Sequence, residues 1–148
     1  MYCYQADITE QISVDELIQL TDDNGLGMVD ASVLDRAVAD AQAEIDSYCG
    51  TRYTVPFSAV PDMIRKVAVD ISIYNLYARR RGAPEDRKER YRDAIRFLKG
   101  VASGGASLGA SAPQATDDSG PQTTKTPADR IFTRGRVSDG SSGSLDNY

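Results

Sequence analysis

The chain contains no histidine, no tryptophan and only two cysteines among its 148 residues. Without histidine the commonest general base and metal ligand is missing, and neither a Ser–His nor a Cys–His nucleophilic pair can be assembled. Cys3 and Cys49 are too far apart in sequence to make a metal or redox spacing. In a cytosolic product they read as two reduced thiols. Ser103-Gly104-Gly105 follows a helical pattern and has no lysine partner, so it is not a phosphate-cradling loop. Asp62 and Asp70 are two helical turns apart, too far for an acid–base pair on spacing alone. No stretch approaches the about 20 apolar residues of a membrane span. Met1 to Asp7 has neither a basic start nor an apolar core, which excludes a signal peptide there. The sequence thus predicts no catalytic constellation, no metal site and no cofactor.

What the chain does contain is helical periodicity, in a length sufficient for one domain with a real core. The organising stretch runs from Pro61 to Arg81. Proline suits a first helical turn, where its missing N–H would be unpaired in any case, and Ser58 lies just upstream as a candidate cap. Ile64, Val67, Ala68, Ile71 and Ala78 share one face, while Met63, Val69, Ile73, Leu76 and Tyr77 spread over much of the rest. A helix apolar nearly all round is buried on several sides, and Tyr74 and Tyr77 need hydroxyl partners there. Asp62, Arg65, Lys66 and Asp70 interrupt it, which favours a core or an interface over lipid.

Three further helices are predicted. Ser13 with Glu16 reads as a capping box opening a helix over 13–21, after a polar lead in which Thr9 is a candidate cap of a first turn. Asp30 or Ser32 caps a helix over 32–49, with Gly50 as its stop and Leu34, Ala37, Val38, Ala41, Ile45 and Tyr48 as its stripe. A helix over 85–101 carries Tyr91, Ala94, Ile95, Leu98 and Val101, after Gly82 and Pro84 have closed the central one. The Asp22–Asp30 turn has some residues of a calcium loop. Counting from Asp22, however, Leu26 stands at position 5 and Val33 at position 12, where ligands are required. An ordinary Asx turn accounts for it. The expected fold is all-α: a compact bundle of about four helices in residues 1–102, with a long extended C-terminal arm in residues 103–148. The arm is Gly-, Ser-, Thr- and Pro-rich as far as residue 128 and cannot bury a core of its own.

Charge is distributed unevenly. Residues 1–60 hold 11 acids and 2 bases, while residues 61–100 hold 6 acids and 11 bases. The split suits two complementary layers within one fold, or head-to-tail packing of identical subunits. Asp35, Asp40, Glu44 and Asp46 make one helix face acidic, either as a solvated face or as a protein-binding one. Arg52 and Tyr53 follow a helix end, where Arg52 either bonds the free carbonyls or contacts a neighbouring subunit. Arg79, Arg80 and Arg81 complement the dipole of the central helix. With the basic last helix they also raise the alternative of a small helical nucleic-acid-binding protein, against which stand the overall acidity and the lack of a recognition-helix pattern. Ile131, Phe132 and Arg134, beyond the linker, read as a docking segment on a tether.

One series of residues resembles a known family: Ala37, Asp40-Ala41, Glu44-Ile45-Asp46-Ser47-Tyr48, Arg52-Tyr53, Pro56-Phe57, Pro61, Asp70-Ile71, Tyr74, Leu76, Arg79-Arg80, Tyr91, Ala94, Leu98 and Gly104. In this order they resemble the Mu-like prophage head–tail adaptor proteins, a family long catalogued as a domain of unknown function. The resemblance covers residues 2–105, and Ile131-Phe132-Thr133-Arg134 is similar to a short C-terminal element of the family. No single piece is diagnostic; the ordered combination carries it. The resemblance implies a structural, non-enzymatic protein of the virion. Such proteins form a homo-oligomeric ring, commonly of twelve copies, beneath the portal protein. The ring joins the DNA-filled head to neck or tail-completion proteins, with passive DNA contact in the channel and no membrane. The expected contact residues are Asp40, Glu44, Arg52, Tyr53, Arg79, Arg80, Arg81, Arg92, Arg96, Ile131, Phe132 and Arg134. The arm is expected to run along a neighbouring subunit or another neck or portal protein.

Overall fold

The computed structural model describes residues 1–109. Its centre is the helix Asp62–Arg80, here α4, in which Ile64, Val67, Ala68, Val69, Ile71, Ile73, Leu76 and Tyr77 are all buried. The other helices are α1 (Gln5–Thr9), α2 (Val14–Thr21), α3 (Ala31–Cys49) and α5 (Glu85–Ser103). Each of them packs on α4, which is why a helix apolar over most of its circumference is stable here. The helices α3, α4 and α5 also pack pairwise as a bundle, and α2 touches α3. No strand occurs among the described residues, so the fold is all-α.

The boundaries follow local chemistry. Ser13 Oγ accepts from Glu16 N at 3.2 Å and opens α2. Glu16 does not close the expected capping box; its carboxylate instead accepts from the Tyr77 hydroxyl on α4. Asp30 caps α3 by accepting from Ser32 N at 2.9 Å. Pro61 is the N-cap of α4 and Ser58 plays no part in it, because no side chain caps that end. Gly82 takes φ +77° and donates its N–H to Tyr77 O at 3.0 Å, the left-handed step that stops α4. Gly50 departs from the expected glycine stop, since its φ of −60° is right-handed. The turn after α3 is made by Arg52 N and Tyr53 N, both of which donate to Cys49 O.

Parts of the core lie outside the expected helices. The five-residue α1 stands where a polar lead was expected; Thr9 ends it rather than capping a turn, donating to Ala6 O at 2.9 Å. Before it, Tyr2 and Cys3 are buried. The Tyr2 hydroxyl donates to Asp46 on α3 and accepts from Phe57 N at 3.1 Å, and its ring lies 5.6 Å from that of Phe57. Burial pushes both thiols up, Cys49 to about 11, so both are protonated at neutral pH. The expected change to a tail at residue 103 falls inside α5. Residues beyond the helix still engage the body: Ala106 N donates to Gly100 O at 3.0 Å, and Leu108 N donates to the Tyr53 hydroxyl at 3.2 Å.

Candidate interaction surface

The arginines that end α4 are used within the chain. Arg79 Nη1 and Nη2 meet the Asp23 carboxylate at 2.6 and 2.9 Å, and Nη2 also donates to Leu20 O at 3.1 Å. Arg80 donates to Asp22 O at 2.7 Å, and Arg81 reaches Gln19 Oε1 at 3.3 Å. Leu20, Thr21 and Asp22 form the C-terminal end of α2 and its cap, where unpaired carbonyls and the helix dipole attract cations. The run therefore closes α2 as well as α4. The guanidinium of Arg79 holds the Asp23 carboxyl below the usual range.

The loop between α2 and α3 is built on Asp22. Its Oδ1 accepts from Asn24 N and Leu26 N at 3.1 and 3.0 Å, and its Oδ2 accepts from Gly27 N at 2.7 Å. Those amides hold its carboxyl below the ordinary range. This is the expected Asx-type turn, enlarged, and its lone pairs face amides rather than a cation. Among the described residues no group of three His, Cys, Asp or Glu side chains could hold a metal ion. Thr21 fastens the base of the loop, donating to Leu17 O at 2.8 Å and accepting from Asp30 N at 3.2 Å. Leu26 and Met28 remain exposed at its tip.

The acidic face of α3 borders a cleft of about 590 Å³ against α4, lined by Arg36, Asp40, Glu44, Asn75, Ala78 and Arg79 among others. Asp40 is exposed. Glu44 is less free, because it accepts from the Tyr91 hydroxyl at 2.9 Å. The Tyr91 ring in turn stacks on Tyr74, with centroids 4.1 Å apart and planes 14° apart. Burial, then the Glu44 hydrogen bond, pushes the Tyr91 hydroxyl up to about 12. Tyr2, Tyr77 and Tyr91 thus each donate to a carboxylate from the acidic half: Asp46, Glu16 and Glu44. Among the described residues, Asp23 is where an acid of the first half meets bases of the second in ion pairs, through Arg79 and Arg80; the links of Glu16 and Glu44 to the second half are hydrogen bonds from neutral hydroxyls.

The remaining expected contact residues divide into internal and exposed. Tyr53 is 5 % exposed and belongs to the chain's own core. Arg52 packs at the far end of α5, with Nη1 3.5 Å from Val101 O, rather than on the carbonyls of its own helix. A Cβ at Gly104 would stand 3.1 Å from that same nitrogen. Arg92 and Arg96 lie on the outer side of α5, where their only partners among the described residues, Glu85 at 3.1 Å and Asp93 at 2.6 Å, are on the same helix. Ile131, Phe132 and Arg134 lie outside the described residues.

One feature escaped the sequence reading. A second cleft, about 380 Å³, opens between α4 and α5 and is lined by Met63, Lys66, Val67, Asp70, Arg90 and Phe97 among others. Asp70 is 8 % exposed, and its Oδ1 is buried without a hydrogen-bond partner. Arg90 Nη1 stands 3.7 Å away, an ion pair too long to be a hydrogen bond. The signal in the sequence was phase: Asp70 sits between Val67 and Ile73 and shares their side of the helix closely enough to be buried with them.

These features define a small all-helical module, braced by hydrogen bonds and ion pairs between its helices, with clefts along its central helix. The family model described as Bacteriophage Mu, Gp36 matches residues 2–126, and the chain belongs to that family. It is 38 % identical over 91 residues to the Mu-like prophage FluMu protein gp36 of Haemophilus influenzae, a match covering 62 % of this chain and 63 % of that relative. It is 28 % identical over 109 residues to gene product J of Escherichia phage Mu, covering 73 % of this chain and 76 % of the relative. The protein is therefore a member of a Mu-like phage family. No helix among the described residues is long and apolar enough to cross a membrane.

Proposed function

We propose that the protein is a structural head–tail adaptor of a tailed phage. Identical copies form a ring, commonly of twelve, beneath the portal. The ring joins the DNA-filled head to neck and tail-completion proteins, so the protein resides in the virion neck and does no chemistry. The observation that carries the reading is a pair of charged surfaces on one braced bundle. Arg36 and Asp40 are exposed on α3, and Lys66 is exposed on α4 one turn from the buried Asp70. Heterologous contacts between such surfaces close into rings when the rotation per subunit permits. Membership of the Mu Gp36 family supplies the phage setting. The nucleic-acid-binding alternative loses its main support, because Arg79 and Arg80 are engaged with Asp23 and the end of α2.

The test is a phage carrying an amber codon in this gene. Under non-permissive conditions, DNA-filled heads and separate tails are expected to accumulate, and added protein should join them. Normal joined particles made without the protein would refute the adaptor role. Tight, salt-sensitive duplex binding by the purified protein would favour the nucleic-acid alternative instead.

A further inference from the structure

We propose that the α4–α5 cleft is the receiving side of the contact between copies, and that it takes Arg36 of the adjacent copy onto Asp70. The inference rests on the ring reading above and says which surfaces make the ring.

The first observation is the orphaned carboxylate oxygen. Asp70 lines the cleft, is more than nine-tenths buried, and has an Oδ1 that no donor reaches. A buried acceptor of this kind is costly unless a donor arrives. Arg90, the nearest cation, is already drawn to Gln11 Oε1 at 3.0 Å. The apolar lining residues Met63, Val67 and Phe97 suit the aliphatic stem of a long side chain whose charged head meets the carboxylate.

The second observation is the position of the two clefts. Asn75, Leu76, Ala78 and Arg79 line the α3–α4 cleft, while Met63, Lys66, Val67 and Asp70 line the α4–α5 cleft. At about 100° per residue these sets point to roughly opposite sides of α4. Complementary patches on opposite sides of a subunit are what a head-to-tail contact requires, whereas a two-fold dimer would set one patch against itself.

The third is charge register. Arg36 and Asp40 are exposed one turn apart on α3, and neither has an ion pair or side-chain hydrogen bond among the described residues. Lys66 and Asp70 stand one turn apart on α4, and Lys66 is likewise exposed and unpaired among the described residues. When α3 of one copy runs antiparallel to α4 of the next, Arg36 meets Asp70 and Asp40 meets Lys66 in a single register. The outer arginines Arg92 and Arg96 already have partners on their own helix and are not needed for this contact.

The experiment uses the purified full-length chain, with sedimentation velocity and native mass spectrometry over a concentration series. Arg36→Glu and Asp70→Asn should each weaken self-association at least about tenfold, while the reversed pair Arg36→Asp with Asp70→Arg should recover part of the loss. Far-ultraviolet circular dichroism and thermal midpoints identify any variant that fails to fold. Disulfide trapping provides a reading that needs no buried substitution. Arg36→Cys and Asp93→Cys together, both at exposed positions, should give a ladder of covalent oligomers under oxidation, with neither single variant doing so. Undiminished assembly of Arg36→Glu, or dimers trapped by Arg36→Cys alone, would overturn this contact and leave the ring reading standing. A wild-type chain that stays monomeric throughout would overturn both.

Discussion

Replacing Ile71 with alanine tests the central claim about how the fold is held. Ile71 is fully buried on α4, the helix on which the other four pack. The substitution removes three carbons; at about 0.8 kcal/mol per buried methylene this forfeits roughly 2.4 kcal/mol of transfer free energy. Because α4 is enclosed by the helices packed on it, the site can collapse only partly, and a residual cavity raises the loss to about 3–4 kcal/mol. For a body of this size that is a fall in midpoint of roughly 12–30 °C. Urea unfolding followed by far-ultraviolet circular dichroism measures it, with the slope expected to stay unchanged because the surface exposed on unfolding is the same. Met63→Ala on the same helix is the control: Met63 is 38 % exposed, and its loss should be below about 1 kcal/mol. Equal losses at the two positions, or a loss below about 1 kcal/mol at Ile71, would refute the placement of α4 at the centre.

Gly104→Ala should destabilise the protein by about 1–2 kcal/mol, since φ is +86° there and a Cβ would press on Arg52; unchanged chemical denaturation would count against that left-handed stop. Tyr77 and Tyr91 should ionise near pH 12, as read by phenolate absorbance. Their folded values are raised, so the stability they contribute is complete below about pH 10, the unfolded value, and is lost as pH rises through about 12; Tyr91→Phe should lessen that alkaline loss. The Asp22 carboxyl is depressed by the amides of its loop, so its contribution is present above the unfolded value near pH 4 and lost as pH falls through the folded one. Asp22→Asn should weaken the acid dependence and accelerate hydrogen exchange at Leu26 and Gly27, and unchanged exchange would reject the cradle.

The long helices were legible because each carries a sustained stripe and a marked end: Asp30 for α3, Pro61 for α4, and the Pro84-Glu85-Asp86 opening of α5. The short α1 was not, since only Ile8 is buried in it and one apolar residue has no period. Tyr2 and Cys3 were missed for a related reason. Their burial depends on Asp46, Phe57 and Ser72, distant in sequence and brought together only by packing. Of the candidate surface, residue types were readable but availability was not. Tyr53 and Arg79 looked free until the fold supplied Leu108 and Asp23 as their partners.

That difference decides how the charge split should be read. Asp23 meets Arg79 and Arg80, Gln11 meets Arg87 and Arg90, and Glu16 and Glu44 meet tyrosines. These links span more than forty residues of sequence, joining the acidic first half to the second. A charge already engaged in this way is a poor basis for assembly, because a partner must compete with an existing bond before it gains one. Exposed ion pairs of the kind seen on α5 add little to stability, about 0–1 kcal/mol, and are correspondingly easy to exchange. Asp70 is the opposite case: its Oδ1 is buried with Arg90 Nη1 no nearer than 3.7 Å, and the cost of that unsatisfied oxygen is relieved when a donor reaches it. The assembly surface is therefore better sought at Asp70, Lys66, Arg36 and Asp40, which the fold leaves short of partners, than at the arginine run that is most conspicuous in the sequence.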